Sequence, residues 1–283
     1  MNVLYVFNSV KDNELLYSKE IISFLQQKDI SVFGIDNTLN FLNVELVNDF
    51  SIIDLVVILG GDGTILKYAR NYGKYNIPIL GINLGRVGAL AIAKISNYQE
   101  LIDKYLAGVY FITNNLTLQG KIKHENKECE FIIYNDVMIH RGLSYKLLPI
   151  HIGINNTRFD KIYADGVVIS TPSGSSAYNF SAGGPLLSHN SNCYVITPIC
   201  PQTRGFNSLV VSNEEVVHLA VDSENGTYLC IDGCEQYSIV KGDEVVIYKS
   251  DYCLKLVNFS KQNSIYETVY KVMKASSRGD DDV

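Results

Sequence analysis

The stretch Leu55-Val56-Val57-Ile58-Leu59-Gly60-Gly61-Asp62-Gly63-Thr64 decides the fold. Five consecutive apolar residues read as a strand buried on both faces, and the segment from Ile65 to Tyr72 has helical character. The glycines between them make the unit strand, turn, helix. Glycine backbone can approach a ligand closely, and the unpaired amides at a helix N-terminus form a site for phosphate. Asp62 is the anomaly in such a turn. A carboxylate beside a bound anion repels it unless it holds a cation or takes a proton from an attacking hydroxyl, and both roles belong to phosphoryl transfer.

Working outward on the N-terminal side, apolar strands alternate with helical patterns: Val3 to Phe7, then a helix from Glu14 to Lys28, then Ser31 to Ile35. Leu15, Ile22 and Leu25 share one helical face. With Leu55 to Leu59 and Ile79 to Ile82, this predicts an α/β domain with a mostly parallel sheet. Its ligand site is expected at the C-terminal ends of the strands, where the GGDGT turn lies. A helix from Tyr98 to Ala107 forms the junction.

From Phe111 onward the pattern changes to short segments rich in β-branched and aromatic residues. Phe111 to Leu118, Phe131 to Ile139, Pro149 to Ile154, Gly166 to Ser170, Val216 to Val221, Tyr228 to Ile231 and Val245 to Tyr248 read as strands. The fold class expected is an α/β N-terminal domain with a mostly parallel sheet, plus an all-β-rich, β-sandwich-like C-terminal domain. The domain bounds are expected at 1–95 and 96–261. A helix over 262–275 should pack back on the first domain, and 276–283 should form a disordered tail.

Composition narrows the partners. A chain of 283 residues, 47% hydrophobic and 19% charged, has enough apolar residues for two ordinary cores. Its net charge of -6 argues against nucleic acid, whose backbone is neutralised by Lys and Arg. No apolar stretch is long enough to span a bilayer, and the first ten residues lack the marks of a signal peptide, so a cytoplasmic protein without a membrane partner is expected. The six cysteines form no C-x-x-C pair and read as reduced, structural thiols, with Asp232-Gly233 between Cys230 and Cys234 suggesting a turn. The five histidines form no i, i+4 metal pair.

Two further clusters carry chemistry. Gly81-Ile82-Asn83-Leu84-Gly85-Arg86-Val87-Gly88 follows a strand, and its Arg86 is placed to meet a phosphate. Either this is a ligand loop or a tight turn with a solvated arginine. The densest cluster is Ala164-Asp165-Gly166, a strand to Ser170, then Thr171-Pro172-Ser173-Gly174-Ser175-Ser176-Ala177-Tyr178. Small hydroxyl residues supply hydrogen bonds without bulk and Tyr178 offers a flat face for an adenine, which favours a nucleoside pocket over an ordinary Ser/Thr-rich turn.

These residues, together with Asn135-Asp136, Ser181 to Pro185 and Thr197-Pro198-Ile199-Cys200-Pro201, resemble the ordered signatures of NAD kinases over nearly the whole chain. The resemblance implies transfer of the ATP γ-phosphate to the 2′-hydroxyl of the adenosine ribose of NAD, with Mg²⁺ as divalent cation. It implies Asp62 as base or metal-linked carboxylate, and Gly60, Gly61, Gly63 and Thr64, with Arg86, around the phosphates. NAD is then bound by Asn135, Asp136, Asp165, Ser173, Ser176, Ala177 and Tyr178. ATP is the implied donor, with inorganic polyphosphate as an alternative, and the family's usual state implies a homodimer or homotetramer. The metal ligands are not fixed by the resemblance.

Three positions depart from the family's pattern. Asp136 stands where the family has Glu, one methylene longer; Ser173 and Ser176 stand where many members have Thr; Ala89 stands where many have Phe. A lipid kinase would share the GGDGT turn, but the chain has no basic amphipathic stretch for a membrane surface. A non-catalytic NAD(P) sensor is the other alternative, and the intact Asp62 argues against it. G-x-x-x-x-G-K-[ST] is absent, and so is G-x-G-x-x-G after the first strand.

Overall fold

The computed structural model describes residues 1–85, 90–124, 127–202, 205–224 and 226–260. The chain divides into two units, one comprising 1–114 with the stretch from Tyr252, the other 115–251.

In the first unit the elements run β1 (Asn2–Phe7), α1 (Leu16–Gln27), β2 (Ser31–Gly34), β3 (Glu45–Leu46), β4 (Leu55–Leu59), α2 (Asp62–Tyr72), β5 (Ile79–Asn83), β6 (Ala93–Lys94) and α3 (Tyr98–Leu106). The strands β3-β2-β1-β4-β5 lie side by side and all pair in parallel. Every residue of β4 and β5 is buried, as a sheet covered on both faces requires. The core gathers Val3 and Tyr5 of β1, Ile21, Ile22 and Leu25 of α1, Leu55, Val57 and Leu59 of β4, and Leu101 and Ile102 of α3. The apolar face read in α1 is thus the face that is buried. The helix after the GGDGT turn begins at Asp62, three residues before the Ile65 expected, so the carboxylate belongs to its first turn.

The chain continues, with β7 and β19 each running across the division between the units, through β7 (Phe111–His124), β8 (Lys127–Ile133), β9 (Asp136–His140), β10 (Leu148–Ile154), β11 (Thr157–Arg158), β12 (Ile162–Ala164), β13 (Gly166–Ser170), the short α4 (Tyr178–Ser181), β14 (Cys193–Ile199), β15 (Leu209–Ser212), β16 (Val217–Val221), β17 (Thr227–Ile231), β18 (Glu235–Ile239) and β19 (Glu244–Asn258). One antiparallel sheet has the order β15-β14-β13-β9-β17-β18. A second antiparallel set places β10 between β12 and β16, with β19 on the far side of β16. One hydrophobic core takes Val137, Val167, Ile169 and Tyr194 from the first sheet and Ile150, Ile152, Leu219 and Val245 from the second, which is the sandwich-like arrangement expected.

Two expectations are corrected. Phe131 to Ile139 is not one strand but two: β8 pairs with β7, β9 pairs with β13 and β17, and the break falls at Tyr134-Asn135. The reason is local, since both backbone amides there are claimed by a side chain described below. The cysteines read as structural thiols are not core residues: none is buried, and Cys129, Cys200 and Cys234 are exposed. The expected helix and tail beyond residue 260 lie outside the described residues.

Candidate functional site

The GGDGT turn closes on itself and on its neighbours through backbone. Gly60 N–H donates to Ile82 O at 2.8 Å, and Thr64 N–H to Gly61 O at 2.9 Å. A Cβ on Gly60 would lie 2.5 Å from Thr64 Oγ1, so a side chain there would displace the threonine. Thr64 Oγ1 in turn accepts from Asn8 Nδ2 at 3.1 Å, tying the loop after β1 to the helix start. Asp62 Oδ1 accepts from the backbone amides of Leu90 and Ala91, each at 3.1 Å. These bonds spend one carboxylate oxygen on fixing the side chain's direction.

Beside this turn lies a cavity of about 410 Å³ lined by Asn8, Lys11, Gly61, Gly63, Thr64 and Lys67. Two lysines lining a cavity that opens at a helix N-terminus make a local field that suits an anion. Neither lysine was singled out from sequence. Lys11 lies outside the glycine motif and reaches it only because β1 and β4 pair side by side. Arg86 lies outside the described residues.

The second region is assembled from distant parts of the second unit. Thr171 N–H donates to Asn135 O at 2.8 Å and Thr171 Oγ1 to Tyr134 O at 2.7 Å, so the segment after β13 grips the break between β8 and β9. Gly174 is packed against that break: a Cβ on it would lie 2.1 Å from Asn135 O. Ser173 is buried, Ser176 is half-buried, and Ala177 and Tyr178 are exposed. Tyr178 therefore presents an accessible ring four residues after Gly174. Ser175 is used internally, donating to Pro172 O at 2.7 Å and accepting from Leu187 N–H at 3.0 Å.

Asn179, which sequence reasoning passed over, is fully buried and latches the segment. Its Nδ2 donates to Ser175 O and to Pro185 O, each at 3.0 Å, and its Oδ1 accepts from Thr197 Oγ1 at 2.7 Å. The Ser181 to Pro185 and Thr197 to Pro201 segments thereby meet, and Gly183, Gly184, Pro185, Thr197, Pro198 and Pro201 share the wall of a cavity of about 450 Å³.

Asp232 is the larger omission. Its Oδ1 accepts from the amides of Asn135 at 2.6 Å and Asp136 at 3.0 Å, its Oδ2 from Tyr134 at 3.2 Å, and its own N–H donates to Asp136 O at 2.8 Å. Asp232 and Gly233 both have positive φ, 46° and 65°, in the turn between β17 and β18. The Asp-Gly pair gave that turn in the sequence; nothing in it announced three amides on the carboxylate. Asp136 is 8% exposed, and burial together with the nearby Asp232 carboxylate pushes its pKa up to about 7.

Asp165, immediately before β13, pairs with Arg141: Nε donates to Oδ1 at 2.6 Å, and Arg141 N–H donates to Asp165 O at 3.0 Å. Within this chain its carboxylate thus holds an arginine. The sites divide between the units, with Asp62 and its turn in the first and Asn135, Asp136, Asp165 and Ser173 to Tyr178 in the second.

Among the described residues no group of three His, Cys, Asp or Glu side chains is arranged to hold a metal ion. Magnesium does not require such a cage. It keeps several waters and is commonly bound through one or two carboxylates plus substrate phosphates, a demand that Asp62 beside the lysine-lined cavity fits.

Comparison with known proteins assigns both units. The domain family described as ATP-NAD kinase N-terminal domain matches residues 3–110, and the ATP-NAD kinase C-terminal domain matches 134–259. The NAD kinase of Natranaerobius thermophilus is 32% identical over 267 residues, covering 92% of this chain and 93% of its own. Among solved structures, yeast NADH kinase complexed with NADH superposes with a TM-score of 0.80 at 24% identity, over 93% of this chain and 84% of that one. An NAD kinase from Archaeoglobus fulgidus in complex with ATP gives 0.70 at 24% identity, over 93% and 94%. The protein is a phosphotransferase. The chain belongs to the NAD kinase family.

Proposed function

We infer that the protein transfers the γ-phosphate of ATP to the 2′-hydroxyl of the adenosine ribose of NAD, giving NADP and ADP. The observation that carries the mechanism is Asp62, held at the first turn of α2 by the amides of Leu90 and Ala91 in the wall of an anion-suited turn. In this reading the 2′-oxygen attacks the γ-phosphorus, the bond to the β,γ-bridging oxygen breaks, and Asp62 orients the hydroxyl and accepts its proton. Phosphoryl transfer asks little covalent work of a protein beyond alignment and charge neutralisation. The amides of Gly60, Gly61, Gly63 and Thr64 cradle the donor's phosphates, with Lys11 and Lys67 adding positive charge and Arg86 assigned to the same role. Asp62 is also the carboxylate that would meet a nucleotide-borne Mg²⁺ in the alternative, metal-linked role, and such a cation would supply neutralisation of phosphate charge.

Asn135 and Asp136 take the adenosine of NAD, and Ser173, Ser176, Ala177 and Tyr178 surround its adenine. Asp165 is assigned to NAD through the position it occupies, with its Arg141 partner keeping the carboxylate in place. Inorganic polyphosphate is the alternative donor, because a phosphate cradle built from backbone and lysines does not require a base. A homodimer or homotetramer in the cytoplasm completes the proposal. Among the described residues no helix is long and apolar enough to cross a membrane. The test is NADP formation from NAD, ATP and Mg²⁺ by the purified protein with Asp62→Asn beside it. Product from the wild type alone supports the assignment; no product from either, with NAD still bound, overturns it in favour of a sensor.

A further inference from the structure

We propose that Asp232 is a positioning residue for NAD, its carboxylate presetting Asn135 and Asp136 by holding three consecutive backbone amides. The proposal rests on the reading that Asn135-Asp136 binds the adenosine of NAD.

A break between two strands leaves amides that no neighbouring strand satisfies, and a buried unpaired amide is costly. At Tyr134, Asn135 and Asp136 all three are claimed by one carboxylate, at 3.2, 2.6 and 3.0 Å. Hydrogen bonds to an ionised acceptor are roughly twice as strong as neutral ones. From the opposite side Thr171 takes the carbonyls of Tyr134 and Asn135. The backbone of the pair is thus fixed by its amides on one side and its carbonyls on the other, which leaves the Asn135 and Asp136 side chains as the groups free to vary with a ligand.

Asp232 has a second effect, on charge. Asp136 lies opposite Ser170 on β13 and next to Asp232 at the end of β17, and Asp232 is the charged group acting on it. That neighbour helps to keep the Asp136 carboxyl protonated to higher pH than an ordinary aspartate. Removing the charge at 232 lets Asp136 ionise at lower pH. A residue that only braced the fold would not raise the NAD KM with kcat left in place.

The experiment is steady-state kinetics of Asp232→Asn against wild type across pH 5 to 9, with Asn135→Ala as control. The expected result is an NAD KM raised about tenfold or more with kcat within about twofold, the pattern for loss of uniform binding. The acid limb of kcat/KM for NAD should also move to lower pH. An NAD KM within twofold of wild type, or a raised KM with an unmoved acid limb, overturns the proposal. If Asp232→Asn does not fold, Asp232→Glu carries the test: it keeps the charge and displaces it by a methylene, so NAD KM must rise and the acid limb must stay. Unchanged KM there overturns the proposal too. If Asn135→Ala leaves NAD affinity untouched, the underlying assignment of the NAD site fails instead, and the two failures are distinguishable.

Discussion

The two candidate regions are built on opposite plans. Around Asp62 the parts are nearly contiguous: one strand, one glycine turn and one helix start supply the carboxylate and the amides, with Leu90, Ala91 and Asn8 as braces. Around Asn135 they come from three stretches, 134–136, 170–179 and 232, joined by hydrogen bonds between backbone and side chains. The first plan makes an anion site out of local geometry, which any strand ending in a helix can approach. The second makes a shaped surface, which requires several chain segments in fixed register. Phosphate is the same in every donor, whereas a nucleoside must be told from its relatives, and the two plans match those tasks.

The largest effect should come from the contiguous region. Asp62→Asn is expected to lose at least about 10²-fold in turnover, within the roughly 10² to 10⁴-fold range of general-base catalysis. Calorimetric NAD binding should survive, because the residues proposed to hold NAD lie in the other unit. Near-normal turnover would remove Asp62 from the mechanism and leave the comparison without its chemical half.

Next comes the pH dependence of the assembled region. With Asp136 raised to about 7, the native state keeps its proton through the window where the unfolded chain, with an ordinary aspartate near 3.8, has lost it. The contribution to stability is therefore full below about pH 4, declines as pH rises toward 7, and is flat above. In Asp136→Asn this decline, on the order of a few kcal/mol, should disappear from thermal or denaturant unfolding measured between pH 4.5 and 8. An unchanged slope would mean that Asp136 titrates normally.

Gly174→Ala sharpens the contrast. Its Cβ would meet Asn135 O at 2.1 Å, so overpacking should cost roughly 1–3 kcal/mol in unfolding free energy and raise the KM for NAD. The KM for ATP should stay within twofold; a parallel rise in both would show that the regions are not independent. The smallest effect is expected from Asn8→Ala, which removes the bond to Thr64 Oγ1 and should cost about 1 kcal/mol in a urea midpoint series, with NAD affinity unaltered.

Legibility in the sequence follows the same division. The parallel layer was readable because β4 and β5 are unbroken apolar runs and α1 has a clear apolar face. The GGDGT site was readable because its residues adjoin. In the second unit Phe131 to Ile139 looks like one apolar strand, and only the contact with Asp232, almost a hundred positions away, explains why it divides. β14 went unread because Pro198 lies inside it and proline demotes a strand, yet it pairs with both β13 and β15. Lys11 and Asp232 share one property: each acts on residues far from it in sequence, and no periodicity or spacing encodes such a meeting.

The grip of Asp232 on the amides of Tyr134, Asn135 and Asp136 also sets a clock. Amides in a strand break would ordinarily trade their protons with solvent quickly, because no ladder protects them. Here each must first be released by a carboxylate that holds all three, so their exchange into deuterated water measures one opening event, and the three should become labelled together. A short irregular stretch thus acquires the cooperativity of a regular element, supplied by a single side chain.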